Sequence, residues 1–244
     1  MTFCIGIKVR QGVVLLADTR ITRGSEQVNK QKLAAMQHGG SDVFTMTSGL
    51  RSVRDKTLTY LDETIRVEDR QFFRMYELVN QFGEELRRVR RQDGPSLEST
   101  GHRFNLNAII AGRLDDDAEP QMFWVYPEGN WVEAAVDSPY FIIGRTYYGK
   151  PILDRLLTYE TPLSEAVALA LLAMDATRES VNDVDYPIDV AVLPTDPCVA
   201  PILRRFTAND LAETTDWWDR ELRTALQKIP MDWARELLSP STAR

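Results

Sequence analysis

Histidine, cysteine and long apolar runs are all scarce in this sequence. The chain has 2 histidines and 2 cysteines in 244 residues, and these side chains show no metal-ligand spacing. A zinc site and a histidine-based catalytic triad are therefore not expected, and no metal or cofactor is predicted. There is also no apolar run of about 18 residues, so no membrane-spanning helix and no membrane partner are predicted.

The sequence also has fewer basic residues than acidic ones. Lysine and arginine number 29 against 36 acidic residues, which gives a formal net charge of -7. Nucleic acid is therefore not an expected partner, because its binding favours a basic surface. Lys8 and Arg10 interrupt the first apolar stretch, which lacks the core of a signal peptide, and a cytoplasmic protein is expected. In such a protein Cys4 and Cys198 are expected to be buried thiols rather than a disulfide.

The first twenty residues read as two apolar strands joined by a turn. Gly12 predicts a three-residue connection with this glycine in the left-handed region of backbone conformations. That register pairs Cys4 with Asp18 and Thr2 with Arg20, so Thr2, Asp18 and Arg20 would lie at one end of the hairpin. A two-residue turn would shift the register by one and is expected to put Asp18 on the opposite face.

A second informative junction lies between a strand and a helix. An alternating strand ends at Ser48-Gly49, and a helical apolar pattern begins at once with Leu50. A helix that starts there exposes backbone N–H groups to an anion, although a plain strand-to-helix turn has the same sequence. The next helix is predicted over residues 70–92 and is expected to stop at Asp93-Gly94-Pro95.

The order of predicted elements indicates the fold class. Strands, two helices, strands, two helices and strands favour an α+β fold, a four-layer α/β/β/α sandwich of two antiparallel sheets between helical layers. Residues 1–205 are predicted to form this domain, and residues 206–244 a C-terminal helical extension. Tryptophans of the extension suit either core packing or subunit contact. Contact is the favoured interpretation because tryptophan is enriched at interfaces.

Several segments resemble proteasome β-type subunits, which are N-terminal-nucleophile (Ntn) hydrolases. The resemblance rests on a threonine at the mature start, an apolar strand, a glycine turn and then Ala17-Asp18-Thr19-Arg20. It covers roughly residues 2–193 and continues through Ile109-Ile110-Ala111-Gly112, Pro127-Glu128-Gly129 and residues 143–149. The length, the Met-Thr-aromatic-Cys opening and the C-terminal extension look most like the bacterial family called Anbu. HslV-type peptidases come next.

This resemblance implies a threonine peptidase. Removal of Met1 would expose Thr2 as the nucleophile, with its own α-amine as the base. The other implied site residues are Lys32 beside the amine, with Lys30 as the reserve; Asp18 paired with Lys32; Gly49, next to Ser48, as the oxyanion donor; and Arg20, which would order the end of the hairpin.

The sequence departs from the family pattern in the residues that support the nucleophile. Gly144-Arg145 stands where proteasome β subunits have a serine beside glycine. Glu179 and Asn182 are the candidates to replace the usual carboxylate and hydroxyl near the end of the fourth helix.

The resemblance also implies a homo-oligomeric ring or spiral. Its substrate would be peptide or unfolded protein, with an ATP-driven partner as one route of admission. Two alternatives stay open: a weakly active or inactive scaffold subunit of such an assembly, and an Ntn amidohydrolase that acts on a small amide.

Overall fold

The computed structural model describes residues 2–23, 26–66 and 70–238. Within these ranges the strands, in chain order, are β1 (Phe3–Val9), β2 (Gly12–Asp18), β3 (Arg20–Arg23), β4 (Glu26–Asn29), β5 (Leu33–His38), β6 (Ser41–Gly49), β7 (Leu106–Gly112), β8 (Gln121–Val125), β9 (Trp131–Glu133), β10 (Tyr140–Gly144), β11 (Ile188–Pro194) and β12 (Ile202–Phe206). The helices are α1 (Arg51–Arg66), α2 (Met75–Ser99), α3 (Lys150–Leu156), α4 (Leu163–Ser180), α5 (Ala208–Gln227) and α6 (Asp232–Leu238).

The strands form two five-stranded antiparallel sheets and one separate hairpin. The first sheet has the order β10-β1-β2-β11-β12, the second has the order β5-β6-β7-β8-β9, and β3 pairs with β4. Every residue of β1 and β2 is buried. This explains why both strands read as continuous apolar runs rather than as an alternating pattern, since each is covered on both faces.

Two helical layers enclose the two sheets. Helices α1 and α2 pack on the second sheet, and α4 packs on β1 and β2 of the first. One apolar core, which includes Leu15 and Ile109, lies between the sheets, and another, which includes Phe82, lies under α2. Each fully buried side chain of this size stabilises the fold by about 1.5–3 kcal/mol. The predicted four-layer α/β/β/α sandwich of the α+β class is confirmed.

The register predicted for the first hairpin is wrong by one residue. The turn has two residues, Val9 lies opposite Gly12, and Cys4 lies opposite Ala17. Gly12 begins β2 instead of forming a bulge. A Cβ atom on Gly12 would lie 2.4 Å from the carbonyl oxygen of Leu193 on β11, so this glycine permits the close approach of a neighbouring strand.

The predicted end of the second helix is also wrong. Helix α2 continues through Asp93, Gly94 and Pro95 to Ser99. Proline removes one backbone hydrogen bond from a helix. Here the turn beyond it is retained, because Leu97 packs against the core under α2.

The cysteines differ from the prediction in part. Cys4 is a buried free thiol, whereas Cys198 is exposed. Cys198 lies in the loop after β11, where its N–H donates to the Asp196 carboxylate at 2.9 Å. The prediction of a buried thiol is therefore wrong for Cys198.

The chain divides into two compact units, residues 1–207 and 208–244. The second unit contains α5 and α6, and its Trp217 and Trp233 are exposed. Their role in subunit contact stays a prediction. Among the helices of the described ranges, none has the length and apolar character needed to cross a membrane.

Candidate active site

Thr2 lies at the edge of a cleft that both sheets border. It directly precedes β1 and is half-buried. The cleft has a volume of about 640 Å³, and its lining also includes Lys32, Ser48, Gly49 and Gly144. Met1, whose removal the sequence predicts, lies outside the described residues.

A buried ion pair joins the end of β2 to the segment that leads into β5. The Lys32 ammonium lies 2.8 and 2.7 Å from the two carboxylate oxygens of Asp18. The side chains are 4% and 0% exposed, respectively. Lys32 also donates to the backbone carbonyl of Arg20 at 2.6 Å. The ammonium is therefore fixed at the end of β2, and Lys32 is among the residues that line the cleft.

The Asp18 carboxylate also organises the backbone around it. It accepts the N–H of Phe3 at 2.8 Å and the N–H of Arg20 at 3.1 Å. Burial raises the pKa of Asp18, against the opposing effects of Lys32 and these two N–H groups. Such a carboxylate needs all of its partners, because an unpaired buried charge is costly.

The hairpin does not need a bulged turn to bring Asp18 to Lys32. The expectation that a two-residue turn would separate Asp18 from the site is wrong. Strand β2 ends at Asp18, and Lys32 approaches from the segment before β5 and reaches the carboxylate there.

A glycine allows β10 to hold the backbone of Thr2. The N–H of Arg145 donates to the Thr2 carbonyl at 2.8 Å. Gly144 has a φ of +94°, and a Cβ atom there would lie 1.9 Å from the same carbonyl oxygen. Any side chain at position 144 would displace Thr2, which explains why this position holds glycine in place of a larger residue.

The junction of β6 and α1 borders the other side of the cleft. Gly49 has a φ of +142°, and a Cβ atom there would lie 2.3 Å from the Asn105 carbonyl oxygen on the segment before β7. The next amide, that of Leu50, donates to the same carbonyl at 2.9 Å. Helix α1 then begins at Arg51.

The remaining residues predicted for the site lie at different distances from the cleft. The Arg20 guanidinium donates to the Asn182 carbonyl at 3.2 Å and pairs with the Asp185 carboxylate. The Glu179 side chain is 63% exposed and pairs with Arg178 at 2.7 Å. Neither Glu179 nor Asn182 lines the cleft. Asn182 thus meets Arg20 through its backbone, and Glu179 faces solvent.

Two aspartates that were not predicted to belong to the site hold the loop after α4. Asp183 pairs with Arg145 at 2.9 Å, and Asp185 pairs with Arg20. The pKa of Asp183 lies below its ordinary value, because the effect of burial is outweighed by the Arg145 guanidinium and other positive charge. These bridges join the loop to Arg145, whose N–H donates to the Thr2 carbonyl, and to Arg20 at the start of β3. An acidic run just after α4 is the sequence signal that could have indicated them.

The fold and this site define a class of protein: a β/β sandwich between helices, with a candidate nucleophile before the first strand. A model of the proteasome subunit family matches residues 2–193, and the chain belongs to the proteasome subunit family. A search of curated proteins found no match.

Solved structures of Anbu proteins are similar over nearly the whole chain. Anbu from Yersinia bercovieri is 28% identical, with a TM-score of 0.84, over 93% of this chain and 98% of the other. Anbu from Hyphomicrobium sp. strain MC1 is 29% identical, with a TM-score of 0.82, over 93% and 97%. The helical assembly of the Anbu complex from Pseudomonas aeruginosa is 26% identical, with a TM-score of 0.85, over 93% and 97%.

Proposed function

We propose that this protein is the threonine peptidase subunit of a proteasome-like assembly and that Thr2, freed by removal of Met1, is its nucleophile. The observation that carries the proposal is the presence of Thr2 and the buried Asp18–Lys32 pair at one cleft. Threonine is a weak nucleophile until a neighbouring base takes its proton. The cleft offers such a base only if Thr2 has a free α-amine.

The α-amine of Thr2 would act as this base. An unperturbed α-amine has a pKa of about 8, so a small downward shift makes it effective near neutral pH. The Lys32 ammonium would produce this shift, since a nearby positive charge disfavours protonation of the amine. Asp18 would hold Lys32 in place through its two carboxylate oxygens.

The Gly49 N–H is the proposed donor to the oxyanion. Successive amides of an antiparallel strand point to opposite neighbours. The Leu50 amide faces the segment that leads into β7, where it donates to the Asn105 carbonyl. The Gly49 amide is therefore expected to point away from β7, on the side of Lys32. Strand β5 does not cover it there, because the ladder between β5 and β6 ends at the pair Leu33–Met46.

The proposed reaction has two steps, acylation of Thr2 and hydrolysis of the resulting ester. The Thr2 hydroxyl oxygen attacks the peptide carbonyl carbon while its proton moves to the α-amine. The carbon–nitrogen bond then breaks, the proton passes to the leaving amine, and an ester on Thr2 remains. Water attacks this ester with the same amine as base, which releases the acid and restores Thr2.

The proposed substrate is peptide or unfolded protein, and the proposed assembly is a homo-oligomeric ring or spiral. The solved Anbu complex from Pseudomonas aeruginosa is described as a helical assembly, which supports this part of the proposal. A closed or spiral assembly would shield the cleft from folded proteins.

The test is hydrolysis of an unfolded protein by Thr2→Ala and by a matched control, Thr59→Ala. Thr59 is exposed on α1, and its hydroxyl donates to the Asp55 carbonyl of the same helix at 2.9 Å. We expect Thr2→Ala to produce no peptides above background while its elution volume on size-exclusion chromatography is unchanged. Thr59→Ala should retain the wild-type rate. Equal hydrolysis by wild type and Thr2→Ala, or none by either, would contradict the proposed function.

A further inference from the structure

We propose that the cleft beside Thr2 selects an acidic side chain at the residue whose carbonyl is attacked. This substrate class rests on the proposed function. Three cationic side chains line the cleft in addition to Lys32, namely Lys30, Arg51 and Arg54. Among the described residues that line it, none is an aspartate or a glutamate.

The positive charge of the cleft is only partly balanced by the chain itself. Lys32 is neutralised by Asp18. Arg51 and Arg54 share a single carboxylate, that of Asp55, which lies outside the lining.

Lys30 adds charge that the fold leaves unbalanced. Within the ranges that the structure describes, the Lys30 ammonium makes no ion pair. Three cations, Lys30, Arg51 and Arg54, therefore stand against one carboxylate, that of Asp55, which leaves an excess of two positive charges.

The position of Arg54 makes this charge effective toward a ligand. Its side chain is 20% exposed, against 48% for Arg51. A partly desolvated guanidinium is less screened by water and salt than an exposed one. The Nε and Nη2 groups of Arg54 donate to Asp55, and the other edge of its planar guanidinium would meet the carboxylate of the substrate.

The start of α1 also contributes positive electrostatic potential to the cleft. Acidic side chains are favoured in the first turn of a helix, where the backbone dipole is positive. The first turn of α1 has none and begins instead with Arg51. The proposal depends on the side chains of the cleft, and the helix end only adds to their effect.

The apolar part of the lining suits the stem of a carboxylate side chain. Ile21, Val28 and Leu106 provide apolar wall, and Asn105 and Asn107 add polar groups. Glutamate has two methylene groups that would lie against this wall while its carboxylate meets the arginines. A lysine or arginine side chain would meet like charge in the same place.

The experiment uses three peptide epoxyketones that share one leader sequence and end in glutamate, leucine or lysine. Their rates of adduct formation on Thr2 of the full-length protein are measured by intact mass. We expect the glutamate probe to react about tenfold faster than the leucine probe, the gain of one charge-assisted contact. The lysine probe should be the slowest. Raising the salt concentration should reduce the glutamate preference.

Two charge variants and one control assign the preference to the cleft. Arg54→Gln should lower the ratio of glutamate to leucine rates about tenfold. Asp55→Asn removes the balancing carboxylate and should raise the ratio. Arg66→Gln makes the same change of charge at the far end of α1, where Arg66 pairs with Asp62, and should leave the ratio unchanged.

The outcomes separate the two levels of the proposal. Adducts that form on Thr2 equally with glutamate and leucine, or faster with leucine, would overturn the acidic specificity alone. A ratio that follows Arg66→Gln as much as Arg54→Gln would also overturn it. Failure of all three probes to modify Thr2 would refute the proposed function, and the specificity with it.

Discussion

Breaking the buried Asp18–Lys32 pair tests the energetics of the site most sharply. In Lys32→Met the Asp18 carboxylate, which is fully buried, would keep only two N–H donors, those of Phe3 and Arg20. Removal of one partner of a buried pair costs about 3–5 kcal/mol, because a charge stays buried without compensation. For a unit of about 200 residues this corresponds to a fall in Tm of roughly 10 °C.

The size of this loss should depend on pH. The pKa of Asp18 is already raised by burial, and loss of the Lys32 ammonium should raise it further. Protonation of Asp18 then relieves the buried charge. The difference in free energy of unfolding between wild type and Lys32→Met should therefore shrink as pH falls and grow as pH rises.

The assay is guanidinium unfolding at one fixed protein concentration, because assembly makes stability depend on concentration. A matched control is Lys150→Met, which breaks the exposed pair with Asp154 and should cost below about 1 kcal/mol. The double variant with Asp18→Asn should lose clearly less than the sum of the single losses. A Lys32→Met loss no larger than the Lys150→Met loss, or full additivity, would refute the reasoning.

Three further predictions concern the surroundings of the pair. Burial raises the pKa of the Cys4 thiol, so iodoacetamide should modify only Cys198 in the native protein and both cysteines after denaturation, as counted by intact mass. Gly144→Ala should destabilise the fold and slow labelling of the nucleophile far more than Gly101→Ala, which also has a positive φ but an open surrounding; similar labelling rates would contradict this. Asp183→Asn should destabilise the protein at neutral pH and lose that effect as pH falls through the depressed pKa of the carboxylate; a pH-independent loss in urea unfolding would contradict it.

Much of the fold follows from local patterns in the sequence. The apolar strands, the amphipathic helices and their order predict two sheets between helical layers. These features depend on periodicity, which is a property of residues close together in the chain. For example, β1 and β2 are buried throughout, and the sequence shows this directly as two nearly continuous apolar runs.

The errors arise where a distant segment decides a local conformation. Gly12 has the sequence context of a bulged turn, but the backbone of β11 is what requires a glycine there. Pro95 has the context of a helix end, but the packing of Leu97 on the core carries α2 past it. In both cases tertiary contact outweighs local preference.

In the candidate site, too, some residues can be predicted from local sequence, whereas others are brought together only by contacts between distant segments. Thr2 and Asp18 stand out because they lie on one hairpin, and Lys32 follows a few residues later. The bridges of Asp183 and Asp185 join α4's loop to residues far away in the chain. No spacing rule connects such partners, and the residues predicted to support the nucleophile were Glu179 and Asn182 instead.

The most direct test of the account is the intact mass of the purified protein before and after treatment with a peptide epoxyketone. We expect a mass that lacks Met1, followed by one stoichiometric adduct that maps to Thr2 and is absent from Thr2→Ala. A retained Met1, or a free Thr2 that never forms an adduct with any peptide electrophile, would contradict the claim that this residue is a catalytic nucleophile.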